Sequence, residues 1–179
     1  EQLGCSVIGS DEKKPTGLSN VQVVEQSEVV VFSVPIKDTP AVIRSVLPCV
    51  RENQLLMDVT SVKQPAVEAM LESKAQVVGL HPMFRPEVPF DGQTVVAFPA
   101  RLTAPDWKTW VVNMLTATRA QIKWSTPAEH DGYMMTVQVI PHLGNLTSAL
   151  LITEVGVSVS ESLAFTSPFY RVMFSLMGR

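Results

Sequence analysis

The sequence predicts an α/β domain built on a parallel sheet, followed by a region that is helical throughout. Short apolar runs alternate with stretches of helical periodicity up to Thr126, and only helical patterns follow it. We therefore expect a first domain over residues 1–126 and a helical domain over residues 127–179. Each is expected to be incomplete, the first at its N-terminus and the second at its C-terminus.

Five short apolar runs predict the strands of this sheet. The run at residues 29–34 is continuous and rich in β-branched residues, which is typical of a parallel strand buried on both faces. The five predicted strands are residues 5–8, 29–34, 55–59, 76–80 and 94–98.

Helices of the first domain are indicated by prolines at their starts. Thr39 is expected to cap a helix that has Pro40 at its first position and ends at Pro48. Pro65 opens a second, short helix. Between residues 105 and 118 the apolar residues recur at i, i+3, i+4, i+7 and i+8, so one face of this helix should pack on the sheet.

The second domain begins with a capping signal at residues 126–129, where Thr is followed by Pro and Glu. We expect a long helix from there to about residue 154, and Ser167-Pro168 predicts a final one. Pro141 lies inside the long helix and should kink it, with His142 at the kink.

Composition argues against several classes of function. The net charge of −3 comes from interspersed charges without a basic run, so nucleic-acid binding is not expected. No apolar stretch of membrane-spanning length is apparent, which favours a soluble protein. Cys5 and Cys49 have no metal-type spacing and fit a reducing cytoplasm. The three histidines also lack ligand spacing, so no metal is expected.

Two polar groups follow neighbouring predicted strands, at the sheet edge where open α/β sheets bind ligands. His81 can act as a general base, although a structural histidine is the more common case. Ser61 lies similarly, or simply caps a turn that Asp58 holds. Lys63 either meets a substrate carboxylate or is exposed to solvent.

Other candidate residues lie away from these two strand ends. Asp11, after the first predicted strand, either accepts hydrogen bonds from a ribose or only holds a turn. Lys13 and Lys14 offer a phosphate contact instead, so NAD is favoured only modestly over NADP. Arg171 suits a carboxylate or an acidic neighbour equally well, and His130 is expected at the junction of the domains.

The glycine-rich turn that brings a pyrophosphate to a helix N-terminus is missing from the sequence. Residues 1–4 resemble a helix end with Gly4 in the left-handed position. Two hypotheses remain open: an internal part of a larger enzyme, or a divergent chain without its phosphate loop.

Six motifs follow one another along the chain: SVPI at 33–36, DVTSVK at 58–63, GLHPMF at 79–84, EHD at 129–131, His142 and SPFYR at 167–171. This ordered set resembles the prephenate dehydrogenase family, most closely the dehydrogenase part of bifunctional chorismate mutase/prephenate dehydrogenases. The resemblance implies a Rossmann-like nucleotide-binding domain and a helical domain that forms a homodimer. It also implies NAD-dependent oxidative decarboxylation of prephenate to 4-hydroxyphenylpyruvate in tyrosine biosynthesis.

The resemblance also assigns roles to individual residues. His81 matches the catalytic histidine that polarises the substrate 4-hydroxyl, and Ser61 matches a serine that orients both groups. His142 and Arg171 match substrate-binding residues, and the arginine holds a carboxylate. The segment that lies along the cofactor is matched by Ser33, Val34 and Pro35.

Two departures from the family pattern keep other functions open. Arg85 stands where the family usually has glycine, which leaves arogenate or an amino-deoxyprephenate possible as the substrate. The missing phosphate loop leaves open a catalytically silent binding or regulatory module.

Overall fold

The computed structural model describes residues 4–14 and 16–177 and confirms the α/β class. Its sheet has five strands in the order β1-β2-β3-β4-β5. β1, β2 and β3 run parallel, as do β4 and β5. The strands are β1 (Val29–Phe32), β2 (Leu55–Asp58), β3 (Gln76–Pro82), β4 (Thr94–Arg101) and β5 (Gln121–Trp124).

The sheet departs from the predicted parallel arrangement at one pair, because β3 and β4 are antiparallel. Residues 83–93 join them without a helix. A parallel return needs a crossover of a dozen or more residues, whereas a short link turns the chain back on itself. β5 is a further strand that the sequence patterns did not predict.

The run at residues 5–8 is not a strand, which corrects that prediction. It pairs with none of the described strands, and the Val7 side chain is 74% exposed. Gly4 has a φ of 71°, as expected for a left-handed residue. The rest of the predicted helix end, residues 1–3, lies outside the described residues.

Two layers of helices cover the sheet. Helices α1 (Asn20–Gln26), α2 (Thr39–Val46) and α3 (Gln64–Leu71) pack on one face, around buried Val24, Ile43 and Met70. The other face is covered by α4 (Pro105–Ala117), which buries Val111 and Leu115 against strand residues. These contacts confirm the amphipathic helix predicted at 105–118.

The cap predicted at Thr39 is displaced by one residue, since Asp38 precedes the helix and Thr39 is its first residue. The Thr39 hydroxyl donates to the carbonyl oxygens of Val34 and Pro35 instead, at 3.2 and 3.1 Å. This hydroxyl therefore fixes the turn that leaves β1.

By its internal contacts the chain forms two compact units, Glu1–Asp131 and Gly132–Arg179. The helix that begins at Pro127 is continuous to Val155, and its α-helical parts are α5 (Pro127–Met134) and α6 (Ile140–Val155). Between them, Met135–Val139 is π-helical and ends two residues before Pro141. The irregularity expected at this proline thus takes the form of a π-helical turn. The remaining helices are α7 (Val159–Ala164) and α8 (Pro168–Met177).

Two of the predicted caps form. The Thr126 hydroxyl accepts the backbone N–H of Glu129 at 3.2 Å, and the Ser167 hydroxyl accepts that of Tyr170 at 3.1 Å. The Glu129 carboxylate was expected to return the first cap by binding the start of the helix. It instead accepts the Ser125 hydroxyl at 2.6 Å.

One helix is long and apolar enough to cross a membrane, contrary to the expectation from the sequence. Pro127–Val155 has 29 residues and a mean hydropathy of 1.2, and none of its apolar window is buried within the described structure. Length and composition are weak evidence for a membrane span. The lack of burial shows that this helix exposes an apolar surface.

Candidate functional site

The carboxyl ends of β2 and β3 bring the predicted polar residues together. β2 ends at Asp58, which is in register with Gly79 of β3. β3 continues to Pro82, so His81 is a strand residue paired with Val96 of β4 rather than the first residue after the strand. Ser61 is half-buried in the turn that connects β2 to α3.

A fully buried ion pair lies under this edge. The Lys63 ammonium donates to the Asp58 carboxylate and, at 2.7 Å, to the carbonyl oxygen of Leu80. It also lies 5.6 Å from the centre of the Phe98 ring. Burial lowers the pKa of Lys63, and the negative charge of Asp58 works against that change.

These contacts correct both interpretations of Lys63 made from the sequence. Its side chain has no exposed surface, so it is not a solvated lysine. Its ammonium already has internal partners, so it is not placed to bind a substrate carboxylate. Lys63 instead ties the end of β2 to β3.

Asp58 holds the turn after β2, as the sequence predicted. Its Oδ2 atom accepts the backbone N–H of Thr60 at 3.0 Å and also the Thr60 hydroxyl. Its Oδ1 atom is buried and has no hydrogen-bond partner among the described residues. This atom lies against Gly79, where a Cβ would be only 3.1 Å away.

His81 is buried at this edge, with 3% of its surface exposed. Its Nδ1 atom lies 2.8 Å from Nε2 of His130. Burial above all, and then the neighbouring His130 and Lys63, lower the pKa of His81 to about 4, with Asp131 opposing them in part. The imidazole is therefore neutral at physiological pH and is able to accept a proton.

His130 and Asp131 extend this contact into a chain of three side chains. His130 is 2% exposed, and its Nδ1 atom lies 2.8 Å from Oδ1 of Asp131. The Asp131 carboxylate also accepts the backbone N–H groups of Lys63 and Gln64, each at 3.1 Å, and so caps the N-terminus of α3.

The charge on Asp131 is stabilised by those donors. Partial burial acts to raise the pKa of Asp131, but the backbone N–H of Gln64, the His130 ring and the backbone N–H of Lys63 together lower it. An ionised carboxylate thus stands at the far end of the chain from His81.

Comparison with known proteins identifies the family. A family model described as "Prephenate dehydrogenase, nucleotide-binding domain" matches residues 11–124, well over half of the chain. The chain belongs to this prephenate dehydrogenase family. The match covers the sheet and ends at β5, before His130 and Asp131.

Individual relatives agree with that assignment. The chain is 33% identical over 180 residues to a "Probable arogenate/prephenate dehydrogenase" of Methanocaldococcus jannaschii, covering 96% of this chain and 40% of that protein. It is 32% identical over 159 residues to the "T-protein" of Haemophilus influenzae, covering 88% of this chain and 42% of that protein. The chain thus spans about two fifths of the length of these relatives.

A solved structure shows that the fold is shared. Prephenate dehydrogenase from Aquifex aeolicus, in complex with hydroxyphenyl propionate and NAD+, aligns with a TM-score of 0.69 at 19% identity. The alignment covers 88% of this chain and 59% of that one. The Rossmann-like architecture implied by the motifs is thereby confirmed.

The other residues that family resemblance singles out lie on other elements of the chain. Ser33 and Pro35 are exposed beyond the carboxyl end of β1, with Val34 half-buried between them. His142 and Arg171 are exposed residues of the second unit. The His142 Nδ1–H donates to the carbonyl oxygen of Gln138 at 2.8 Å.

Asp11 does not end a strand, which corrects its predicted position. It is exposed, and its Oδ1 atom accepts the backbone N–H groups of Lys13 and Lys14 at 2.7 and 3.0 Å. These two hydrogen bonds lower the pKa of Asp11. The structure therefore gives Asp11 the local turn contacts that were its alternative interpretation.

Sequence reasoning did not predict that His130 contacts His81. His130 was expected at a junction between domains, but its described ring contacts are with His81, Phe98 and Asp131, all in the first unit. The available signal was the EHD motif at 129–131 beside a helix start. Nothing in the spacing of residues 81 and 130 predicts that the two rings meet.

Proposed function

We propose that this chain is part of an enzyme that oxidatively decarboxylates prephenate to 4-hydroxyphenylpyruvate with NAD. The observation that carries the proposal is His81, a buried neutral imidazole at the carboxyl edge of parallel strands in a chain of this family. This edge is where open α/β sheets bind dinucleotides and their substrates.

The proposed reaction needs a hydrogen-bond acceptor at the substrate 4-hydroxyl. Loss of hydride from the carbon that bears this hydroxyl makes the hydroxyl strongly acidic. Neutral His81 stabilises the developing positive charge by accepting a stronger hydrogen bond from the hydroxyl. The ring carboxylate then leaves as carbon dioxide, its bonding electrons make the ring aromatic, and the phenol retains its proton. NAD, when bound, supplies the acceptor for the hydride.

The residues at the end of β1 fit a dinucleotide in part. Ser33 and Pro35 are exposed at the carboxyl end of the strand, the edge at which open α/β sheets bind ligands. The sequence offers no glycine-rich turn for the pyrophosphate, so we assign that contact to none of its residues. We retain Ser33, Val34, Pro35 and Asp11 as proposed cofactor contacts and NAD as the favoured cofactor over NADP.

Substrate recognition is proposed for three further residues. Ser61 would orient the hydroxyl beside His81, and His142 and Arg171 would bind the substrate, with the arginine on a carboxylate. Arogenate is the second candidate substrate, favoured by the exposed Arg85 that follows β3 and by the name of the Methanocaldococcus relative.

We also propose that the protein is a cytoplasmic homodimer. The second unit supports the dimer, because α6 and α8 expose large apolar side chains, Leu146 and Phe169 among them. The spacing of Cys5 and Cys49, which is not of metal-binding type, fits a reducing compartment.

The test is the growth of reduced nicotinamide absorbance when the intact protein is mixed with prephenate and NAD, and then with NADP or with arogenate. Growth with one pair identifies substrate and cofactor together. A folded protein that binds prephenate without any growth would contradict the proposal and indicate a silent binding module.

Two variants locate the chemistry. His81→Asn should reduce turnover by about two to four orders of magnitude, the usual contribution of a general base. Arg171→Gln should instead raise the Michaelis constant for prephenate. Arg119→Gln is the matched control, because the Arg119 side chain forms an exposed ion pair with Asp91. Near-normal turnover of His81→Asn would remove His81 from the mechanism.

A further inference from the structure

Asp131, His130 and His81 form a continuous line of hydrogen bonds that ends at the proposed reaction centre. The Asp131 Oδ1 atom is 2.8 Å from His130 Nδ1, and His130 Nε2 is 2.8 Å from His81 Nδ1. Only the Nε2 atom of His81 has no partner in this line. The direction of the two hydrogen bonds decides whether that atom carries a proton.

The carboxylate sets the direction. An ionised carboxylate only accepts, so His130 must donate to Asp131 through Nδ1–H. A neutral imidazole has one N–H, which leaves Nε2 of His130 as an acceptor. His81 must then donate through Nδ1–H, and its own Nε2 keeps a free lone pair.

The line is held in place at its far end by the backbone. Asp131 is fixed by the N–H groups of Lys63 and Gln64 at the start of α3, so its carboxylate has little freedom to turn. His130 is packed edge-on against both His81 and Phe98, with ring centres 5.0 Å apart in each case. Neither imidazole has room to rotate without losing these contacts.

We propose that His130 and Asp131 are positioning residues that hold His81 as the tautomer with its proton on Nδ1 and a free lone pair on Nε2. The catalytic value of that tautomer rests on the proposed function, since Nε2 would then accept the hydrogen bond of the substrate hydroxyl. The tautomer itself is a property of this chain whatever its substrate.

The buried Lys63 supports a neutral His130 in this arrangement. Its ammonium lies 5.6 Å from the centre of the Phe98 ring, on which His130 also packs. A second cation in this dry cluster would be costly, because charges interact strongly where water is excluded. Burial first, and then His130 and Lys63, lower the pKa of His81 to about 4, so the His81 ring is neutral at neutral pH.

The tautomer is directly measurable by nitrogen NMR of the intact protein labelled with ¹⁵N-histidine. Nitrogen shifts separate a protonated ring nitrogen from an unprotonated one, and the sequence has only three histidines to assign. We expect His81 to show a protonated Nδ1 and an unprotonated Nε2 at neutral pH. A proton on Nε2 of His81 would overturn the proposal.

Two substitutions at His130 separate hydrogen bonding from packing. Gln places its side-chain oxygen near the position of the imidazole Nε2, so His130→Gln keeps an acceptor for His81. His130→Leu fills similar space without one. We expect the Leu variant to show mixed His81 tautomers and about 100-fold lower turnover at a similar Michaelis constant, less than the loss caused by the wrong tautomer in a serine protease triad. The Gln variant should retain the tautomer and most of the turnover.

Asp131→Asn is the second test if His130→Leu fails to fold. Its single side-chain oxygen can still cap α3, but its amide can donate to His130 and reverse the line. We expect a loss of the Nδ1–H tautomer of His81. An unchanged His81 tautomer in Asp131→Asn, or in a folded His130→Leu, would contradict the proposal. If the wild-type protein fails to oxidise prephenate, only the proposed function is lost, because the nitrogen shifts still decide the tautomer.

Discussion

Among single residues, Gly79 shows how little space the site leaves. A Cβ at this position would lie 3.1 Å from Asp58 Oδ1, 3.1 Å from Val67 Cγ2 and 3.2 Å from Phe98 Cδ2. Two of these neighbours belong to buried side chains and the third to a buried carboxylate, so none moves freely. We predict that Gly79→Ala lowers the free energy of unfolding by about 1–3 kcal/mol, the usual range for overpacking.

Urea denaturation of the variant and the wild type checks this value. Gly9→Ala is the matched control, because a Cβ at Gly9 meets nothing within 4 Å and its backbone does not have a positive φ. The control should change stability by no more than about 0.5 kcal/mol. If both variants have the same free energy of unfolding, the side chains around Gly79 can move to accommodate a Cβ, and the prediction is wrong.

The low pKa of His81 predicts a pH dependence of stability. The unfolded chain protonates His81 near 6.5 and the folded chain only near 4, so the unfolded state binds more protons between these values. Stability from this group is complete above about pH 6.5 and falls as the pH drops towards about 4. Between about pH 7 and about pH 4.5 we expect a loss of about 2 kcal/mol from His81 alone.

Urea denaturation at the two pH values measures the loss, and His81→Asn isolates it. The Asn amide keeps a donor near the position of Nδ1 but does not titrate, so the variant should lose about 2 kcal/mol less than the wild type over this range. Identical losses would mean that His81 titrates normally in the folded protein.

Residues differ in how far sequence alone reveals them. His81 was predictable, because it follows an apolar run whose end must lie at the ligand-binding edge of a parallel sheet. His130 was not, because its role depends on the return of a helix start to β3 across 49 positions of sequence. Lys63 was misjudged because its burial depends on its ion pair with Asp58. Nothing in the sequence pattern indicates that these two side chains meet.

Secondary-structure elements meet at the Lys63–Asp58 pair. Lys63 precedes α3, Asp58 ends β2, and the Leu80 carbonyl that Lys63 also binds belongs to β3. We predict that Lys63→Met lowers the free energy of unfolding by about 3–5 kcal/mol, because it leaves a buried carboxylate without its cation.

The double variant Lys63→Met/Asp58→Asn tests that reason. Removing the carboxylate's charge as well should recover part of the loss, since a neutral amide costs less to bury unpaired than an ion. Urea denaturation of the single and double variants gives the comparison. If the double variant is no more stable than Lys63→Met, the loss comes from packing of the lysine stem and not from charge.

Elements were predicted best where a local signal marks both ends. α4 and the caps at Thr126 and Ser167 fall where their patterns place them. The run at residues 5–8 has the composition of a strand, but a strand needs a neighbour to pair with, and no local pattern supplies one. The direction of β4 was likewise missed, because it depends on the path of residues 83–93 rather than on any strand's own sequence.

For the whole molecule, the exposed apolar face of α6 has the clearest consequence. Leu143, Leu146 and Leu150 follow one another at helical spacing and are 58–60% exposed. Monomeric proteins rarely leave such a continuous apolar surface in water. We therefore expect a second copy of the chain to cover it, and the intact protein to sediment as a dimer.

A charge on this face should break the dimer. We predict that Leu146→Lys converts the protein to monomers at micromolar concentration, because an unpaired ammonium is costly to bury in an apolar interface. Val112→Lys on α4, a valine that is 42% exposed in the first unit, adds the same charge elsewhere and should leave the dimer intact. Sedimentation velocity distinguishes the two species.

The same experiment decides whether a second copy of the chain or a membrane covers this apolar helix. If wild type and Leu146→Lys both sediment as monomers, and the wild type alone binds lipid vesicles, the face of Pro127–Val155 meets a membrane and the dimer is wrong. The middle of this helix favours the dimer, because its apolar surface is interrupted there by Pro141, Gly144 and Asn145. The proline leaves one backbone carbonyl without its helical partner, and lipid supplies no hydrogen-bond donor for that carbonyl whereas a neighbouring helix can.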